Sequence, residues 1–263
     1  MTRSSIVTLI TDFGLQEPYV GQLKGALLSV YRDARIVDLT HAVPLHDIAA
    51  ASVTLATSYN HFPQGTVHLI VVDPGVGSDR SLLMAQGEGH LFVCPDNGIL
   101  SLLLDRGNLD KVYQVRYDKP LDCTFHGRDV MAPLAARLAQ GTSCQELGQE
   151  VEWTECVRIP TRKVVYGDNG LTGEVMRIDH FGNIRTSLRL EDLDKAGGRL
   201  LELRVGGVSV RDICRTYRDI PPGKTAMIRD SDGFIEIAAN QASAANLLRI
   251  TIGDEVLCRY TVL

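Results

Sequence analysis

This 263-residue chain lacks long apolar stretches, paired cysteines, tight cysteine and histidine spacings, and clusters of positive charge. No segment approaches the run of about 18 apolar residues that a membrane-spanning helix needs, and the apolar stretch before Asp12 is too short for the core of a secretory signal. A cytoplasmic protein with no membrane partner is therefore expected. The six cysteines, Cys94, Cys123, Cys144, Cys156, Cys214 and Cys258, form no CxxC. That excludes a zinc ribbon and a disulfide framework, and leaves free thiols in a reducing compartment as the expectation. Lysine and arginine total 27 against 32 aspartates and glutamates, giving a net charge of −5 without any basic cluster. Duplex nucleic acid is bound through many phosphate contacts, so no nucleic-acid partner is expected. HExxH, GxSxG and EF-hand patterns are absent, which removes the simplest metal and acyl-transfer readings, and no metal site is predicted. Gly223-Lys224-Thr225 is not a phosphate loop, because Arg218 stands where the first glycine should be.

What is present is an ordinary globular composition, 44% hydrophobic, arranged in two rhythms. Ile6 to Ile10 is a short apolar run, followed by Val20, Leu23, Leu27 and Val30 at helical spacing. Arg35 to Leu39 reads as a strand, Asp47 as the N-cap of a helix, and Val67 to Val72 as a strand buried on both faces. Leu82 to Ala85 and Leu91 to Cys94 form an expected hairpin, with helices over Ile99 to Leu104 and Val130 to Leu138. These are α/β crossover units around a mixed sheet. After about residue 160 the pattern becomes short strands between turn residues: Val164 to Tyr166, Gly173 to Ile178, Leu201 to Val205, Phe234 to Ala238 and Glu255 to Val262. The polar stretch 150–162, with Pro160, is the expected linker. It divides the chain into an α/β domain over 1–157 and a mostly β domain over 163–263.

Six segments carry groups capable of chemistry. Thr11-Asp12-Phe13-Gly14 places a carboxylate at the end of the first strand, where open α/β sheets bind ligands. Asp12 could hold the vicinal hydroxyls of a ribose or cap its own loop. Asp73-Pro74-Gly75-Val76-Gly77-Ser78-Asp79-Arg80 places a second carboxylate at a strand end, with an arginine seven residues on. Asp73 and Arg80 suit either a ligand site or a structural ion pair. His126 precedes a helix, whose N-terminal dipole favours a neutral imidazole; it is either functional or a structural loop histidine. Asp179-His180-Phe181-Gly182-Asn183 offers an amide able to pair with a purine edge, or an ordinary Asx turn. Asp230-Ser231-Asp232-Gly233 and Asn240-Gln241-Ala242-Ser243 have the composition of ligand-facing turns and of plain hairpins alike.

Taken in order, ITDFG with YVG.LKG after it, DLTHAVPLHDI, VVDPGVGSDR, PDNG, TFHGRDVMAPLAARLA, IDHFGN and IEIAANQASAA resemble the S-adenosyl-L-methionine (SAM) hydroxide adenosyltransferases, or SAM hydrolases, relatives of the adenosyl-halide synthases. The resemblance runs from Ile10 to Asp254. It implies an α/β N-terminal domain with a central mixed sheet, a smaller C-terminal β-barrel, and a homotrimer with active sites at subunit interfaces. The implied reaction is attack of water or hydroxide on C5′ of SAM, giving adenosine and L-methionine. Its triad falls on Asp73, Arg80 and His126. Asp12 would hold the ribose, with His46 in place of an aromatic beside it, Asn183 the adenine edge, and Asp179 the methionine ammonium. Ser231 would face the methionine carboxylate, with Asn240 and Gln241 nearby. SAM is the substrate, and no cofactor is implied.

The halide enzymes carry Tyr where this chain has Asp73, Tyr then Ser where it has His126 and Gly127, and Arg where it has Asp232. A halide must enter a pocket of neutral donors and is repelled by a carboxylate, whereas water can donate to one. Hydrolysis is thus the expected activity, with an adenosyl-halide synthase and a non-catalytic SAM or adenosine sensor as the alternatives. In the expected mechanism Arg80 and His126 position a water, while Asp73 orients Arg80 and accepts a hydrogen bond or the proton.

Overall fold

The computed structural model describes residues 5–117, 124–160, 164–167 and 170–262. The chain separates into two compact units, Met1–Thr161 and Arg162–Leu263. Among the described residues no helix is long and apolar enough to cross a membrane. Cys94, Cys144, Cys156, Cys214 and Cys258 are free thiols. Cys123 lies outside the described residues.

The first unit runs β1 (Ile6–Thr11), α1 (Tyr19–Val30), β2 (Arg35–Thr40), α2 (Ile48–Ala56), β3 (Val67–Val71), β4 (Leu82–Gly87), β5 (His90–Pro95), α3 (Ser101–Asp105), β6 (Lys111–Val115), α4 (Ala132–Gln140), α5 (Cys144–Leu147) and β7 (Gly148–Val151). The strands form one mixed sheet in the order β2-β1-β3-β5-β4-β6-β7. The β1–β2, β1–β3 and β3–β5 pairs are parallel, while β4–β5, β4–β6 and β6–β7 are antiparallel. The apolar run of β3 has the pattern of a central strand with two covered faces. Val67, Leu69 and Val71 join a core with Leu23 and Leu27 of α1 and Leu134 and Leu138 of α4. Ile70 and the following Val72 face the other way, into a core with Ala51 and Leu55 of α2 and Leu103 of α3. Asp47 caps α2 as expected, its Oδ1 accepting from Ala50 N at 2.8 Å.

The stretch 150–160 is not a free linker. Cys156 is buried in the second core, Val157 N donates to Asp96 Oδ1 at 2.9 Å, and Ile159 N donates to Ser101 Oγ at 3.0 Å. Its polar composition concealed these anchors, which are backbone donors and leave no mark in residue type.

Near the N-terminal ends of β3 and β5, away from Asp12 and Asp73, lies a buried polar chain. Thr8 Oγ1 lies 2.7 Å from His68 Nδ1, and His68 Nε2 lies 3.2 Å from His90 Nδ1. Burial pushes His68 down to about 3 and also lowers His90. Both are therefore neutral in the folded protein near pH 7, whereas an unfolded histidine protonates near 6.5. The unfolded state takes up the protons first as pH falls, so stability held above about 6.5 drains away toward the folded-state value. Urea unfolding is expected to lose about 2 kcal/mol between pH 6.5 and 5 through His68 alone. His68→Gln should flatten that slope, and an unchanged slope would rule out this origin.

The second unit contains β8 (Val165–Gly167), β9 (Gly170–Ile178), β10 (Ile184–Arg189), α6 (Leu190–Lys195), β11 (Gly198–Val205), β12 (Val208–Val210), β13 (Thr225–Arg229), β14 (Phe234–Ala239), α7 (Ala244–Leu248) and β15 (Glu255–Val262). Its antiparallel sheet has the order β12-β11-β15-β9-β10-β14-β13, with β8 beside β9. A bridge between Ile213, just beyond β12, and Met227 of β13 brings the sheet close to closure as a barrel. The long strand β9 turns the corner, pairing with β15 through Leu171–Glu174 and with β10 from Val175 onward. Gly173 sits at that turn, where a Cβ would stand 2.8 Å from Leu188 Cδ2. Strands β10 and β13 had not been expected, because their alternation is interrupted by arginine and threonine.

Candidate active site

In the first unit the candidate site is built at the C-terminal ends of two neighbouring parallel strands. Thr11 of β1 and Val71 of β3 are register partners, so the chain leaves the sheet side by side at Asp12 and, after Val72, at Asp73. Strand ends of this kind leave backbone and side chains free to face a ligand. Asp73 and Arg80 form a bidentate pair: Arg80 Nε donates to Asp73 Oδ1 at 2.6 Å and Arg80 Nη2 donates to Oδ2. Both side chains are nearly out of contact with solvent, at 8% for Arg80 and 6% for Asp73. Arg80 Nη2 also lies 3.2 Å from His126 Nδ1. A guanidinium has no acceptor, so Nδ1 must carry the lone pair, and the neutral ring holds its proton on Nε2.

His126 is buried and directly precedes a π-helical turn over Gly127–Met131 that leads into α4. Such turns recur at functional positions because they redirect side chains. Gly127 makes the approach to β3 possible: a Cβ there would stand 2.8 Å from Val71 Cγ1 and 3.3 Å from Phe125 Cε2. The helix start expected from the sequence is present, although its first turn is π rather than α.

Asp12, His46, Asp73 and His126 line one pocket of about 660 Å³, within the range of small-molecule sites. Asp12 Oδ2 accepts from His46 N at 3.0 Å, and His46 Nδ1 stands 3.9 Å from the same oxygen. His46 reaches this position with φ +64, a left-handed conformation uncommon outside glycine. The sequence reading had missed the aromatic wall of the pocket. Phe13, Tyr19 and Phe125 meet with ring centroids 5.5 to 6.0 Å apart. All three rings lie inside quoted segments, TDFG, YVG.LKG and TFHGRD, but their meeting is a contact across the fold that no spacing records.

The remaining predicted residues belong to the second unit. Asp179 Oδ1 accepts from Phe181 N at 2.9 Å and Asn183 N at 2.8 Å, and its Oδ2 accepts from Asn183 Nδ2 at 3.0 Å. The two side chains thus build an Asx-type turn around each other. Gly182, at φ +84, packs so closely on Ser243 that a Cβ would stand 2.5 Å from Ser243 Cβ. Asp230 likewise organises the turn between β13 and β14, Oδ1 accepting from Asp232 N and Phe234 N at 2.9 Å each. Ser231 is exposed at its tip. Asp232 is paired with Arg185, Nη2 to Oδ2 at 2.8 Å, while Arg185 Nε lies 2.6 Å from Asp230 Oδ2. Arg185, a cation on β10, leaves no signal in the sequence of the turn itself. Asn240 Nδ2 donates to Ile220 O at 2.7 Å, and Gln241 is exposed at φ +56.

A mixed α/β unit with carboxylates at its strand ends, followed in the chain by a nearly closed β-barrel, defines a two-domain α/β protein. The SAM hydroxide adenosyltransferase N-terminal domain matches residues 7–148 and the C-terminal domain matches 173–257. The chain belongs to the SAM hydroxide adenosyltransferase family. A Salinispora arenicola protein named (R)-S-adenosyl-L-methionine hydrolase is 37% identical, over 97% of this chain and 98% of its own. A Thermus thermophilus protein of the same name is 36% identical, over 95% and 98%. The Nocardia brasiliensis fluorinase is more distant, 27% identical over 97% and 96%. Among solved structures, an uncharacterized conserved protein from Thermotoga maritima superposes with a TM-score of 0.88 at 31% identity, covering 97% of this chain and 99% of that one.

Proposed function

We propose that this enzyme hydrolyses SAM to adenosine and L-methionine by in-line attack of water on C5′. The observation that carries the reading is Arg80, one guanidinium that holds both Asp73 and His126. Its Nη1 is buried and has no hydrogen-bond partner among the described residues. A buried donor left over in this way calls for a ligand or a water. In the proposed step Arg80 and the Nε2 proton of His126 orient the nucleophilic water, and Asp73 fixes Arg80 and takes up a hydrogen bond or the proton. The sulfonium leaves as a neutral thioether while negative charge arrives, so charge is lost in the transition state and exclusion of bulk water lowers the barrier. The substrate brings its own leaving group, so we assign no metal or organic cofactor to the step. Asp12 would hold the ribose hydroxyls beside His46. Asp179, Asn183, Ser231, Asn240 and Gln241 would contact the adenine and methionine ends.

Halide transfer fits this pocket less well. A carboxylate stands where an anion would have to shed its water, and the close contact of Gly127 with Val71 leaves no room for a hydroxymethyl group. Purified protein incubated with SAM, with and without chloride, should release adenosine and methionine equally in both. Formation of 5′-chloro-5′-deoxyadenosine would favour the synthase reading, and tight binding without turnover the sensor.

We also propose a homotrimer in which a neighbouring copy covers the pocket. Leu45, at 76% exposure, and half-exposed Tyr19 and Val76 line the pocket, apolar surface that suits burial by protein. Light scattering at micromolar concentration should give three times the chain mass, and a monomer with full activity would contradict it. The free thiols support a cytoplasmic setting.

A further inference from the structure

The loop that carries Asp73 and Arg80 has little of its own to fix it. Pro74, Val76, Gly77, Ser78 and Asp79 are exposed. Its internal bonds are turn contacts: Val76 N to Asp73 O at 3.3 Å, and Ser78 N and Oγ to Gly75 O at 3.1 and 2.7 Å. Yet the Asp73–Arg80 pair is bidentate and buried, which demands that both ends of the loop be placed accurately.

Both ends are held from outside by one turn, Pro95-Asp96-Asn97-Gly98, at the end of β5. Asp96 N donates to Ser81 O at 2.9 Å, one residue after Arg80. Asn97 Nδ2 donates to Val72 O at 2.9 Å, one residue before Asp73. The first bond continues the β4–β5 ladder, whose last register pair is Leu82 with Pro95. The second does not: the parallel β3–β5 register ends at Leu69 with Val93, so the side chain reaches beyond the ladder to a different strand. The turn is itself anchored, by Asp96 Oδ1 accepting from Val157 N at 2.9 Å and by Gly98, at φ +103, where a Cβ would stand 2.5 Å from Ile159 Cγ2. Asn97 Oδ1 is buried without a hydrogen-bond partner among the described residues. An unmatched buried acceptor is costly, so an amide kept in such a place is kept for its donor.

We propose that Asn97 is a positioning residue for the reaction: its amide fixes the Val72 carbonyl, and with it the point at which Asp73 leaves the sheet to meet Arg80. The inference rests on the reading of Asp73, Arg80 and His126 as the hydrolytic site. Asn97→Ala is expected to lower kcat about 10- to 100-fold, the loss that follows small misplacement of a catalytic group, while KM for SAM changes by less than about 3-fold. Asn97→Asp supplies a second readout. An ionised Asp at 97 cannot donate to Val72 O, but a protonated one can, so its activity relative to wild type at the same pH should rise as pH is lowered from about 8 to about 5. A purely structural asparagine predicts no such rise, and if the alanine variant fails to fold, the aspartate ratio decides alone. Wild-type kcat in Asn97→Ala, or a ratio for Asn97→Asp that ignores pH, overturns the inference while leaving the hydrolase reading intact. Wild-type protein that binds SAM without consuming it overturns that reading, and the inference with it.

Discussion

Replacing Arg80 with methionine is expected to abolish SAM hydrolysis and to lower stability by about 3–5 kcal/mol. The size of the stability loss follows from what is left behind: Asp73 has a side chain only 6% exposed and would remain as a buried carboxylate without its bidentate partner. Arg80→Lys should not restore activity, because an ammonium is a point charge and cannot grip both carboxylate oxygens while also reaching His126 Nδ1. The double variant Asp73→Asn/Arg80→Met removes the buried charge together with its partner, so it should regain most of the stability and none of the activity. Urea unfolding and product release measure the two effects separately. An Arg80→Met protein within about 1 kcal/mol of wild type would show that the pair is solvated and not buried.

His126→Ala is expected to lower kcat by about 10²- to 10⁴-fold, the usual range for a positioned acid or base, with the Kd for SAM changed less than about 3-fold. The ring accepts from Arg80 through Nδ1 and therefore presents only an N–H on its other side, so its contribution is to the arriving water and not to the bound substrate. His126→Asn keeps a donor on a shorter side chain and should recover part of the loss. Isothermal titration with SAM alongside steady-state rates makes the separation. Near-normal kcat in His126→Ala would remove this residue from the site.

Much of this architecture could be read from residue order alone, for reasons that are physical. The run Val67 to Val71 is apolar but for His68 because both faces of β3 are covered, and Asp47 caps α2 because a short carboxylate can accept from Ala50 N. Asp73, Arg80 and His126 came together as a triad only through the ordered motifs of the resemblance, because each residue read by its own position suited a structural role as well. What could not be read was pairing across the fold. Asp73 and Arg80 could equally have been an ion pair or ligand contacts, and the structure makes them an ion pair that also reaches His126. Asp232, which stands where the halide enzymes carry Arg, is matched by Arg185 on β10, a pairing that no spacing in its own turn records. Asn97 stood within a recognisable PDNG turn, but its bond to Val72 O crosses strands and leaves no periodicity in the sequence.

The central claim is that water, activated beside Asp73, Arg80 and His126, attacks C5′ of SAM directly. Incubation with SAM in ¹⁸O-water, followed by mass spectrometry of both products, tests it most directly. The account predicts one heavy oxygen in the 5′-hydroxyl of adenosine, unlabelled methionine, and no dependence on chloride. Adenosine without the label, or SAM that stays bound and unconsumed, would contradict it.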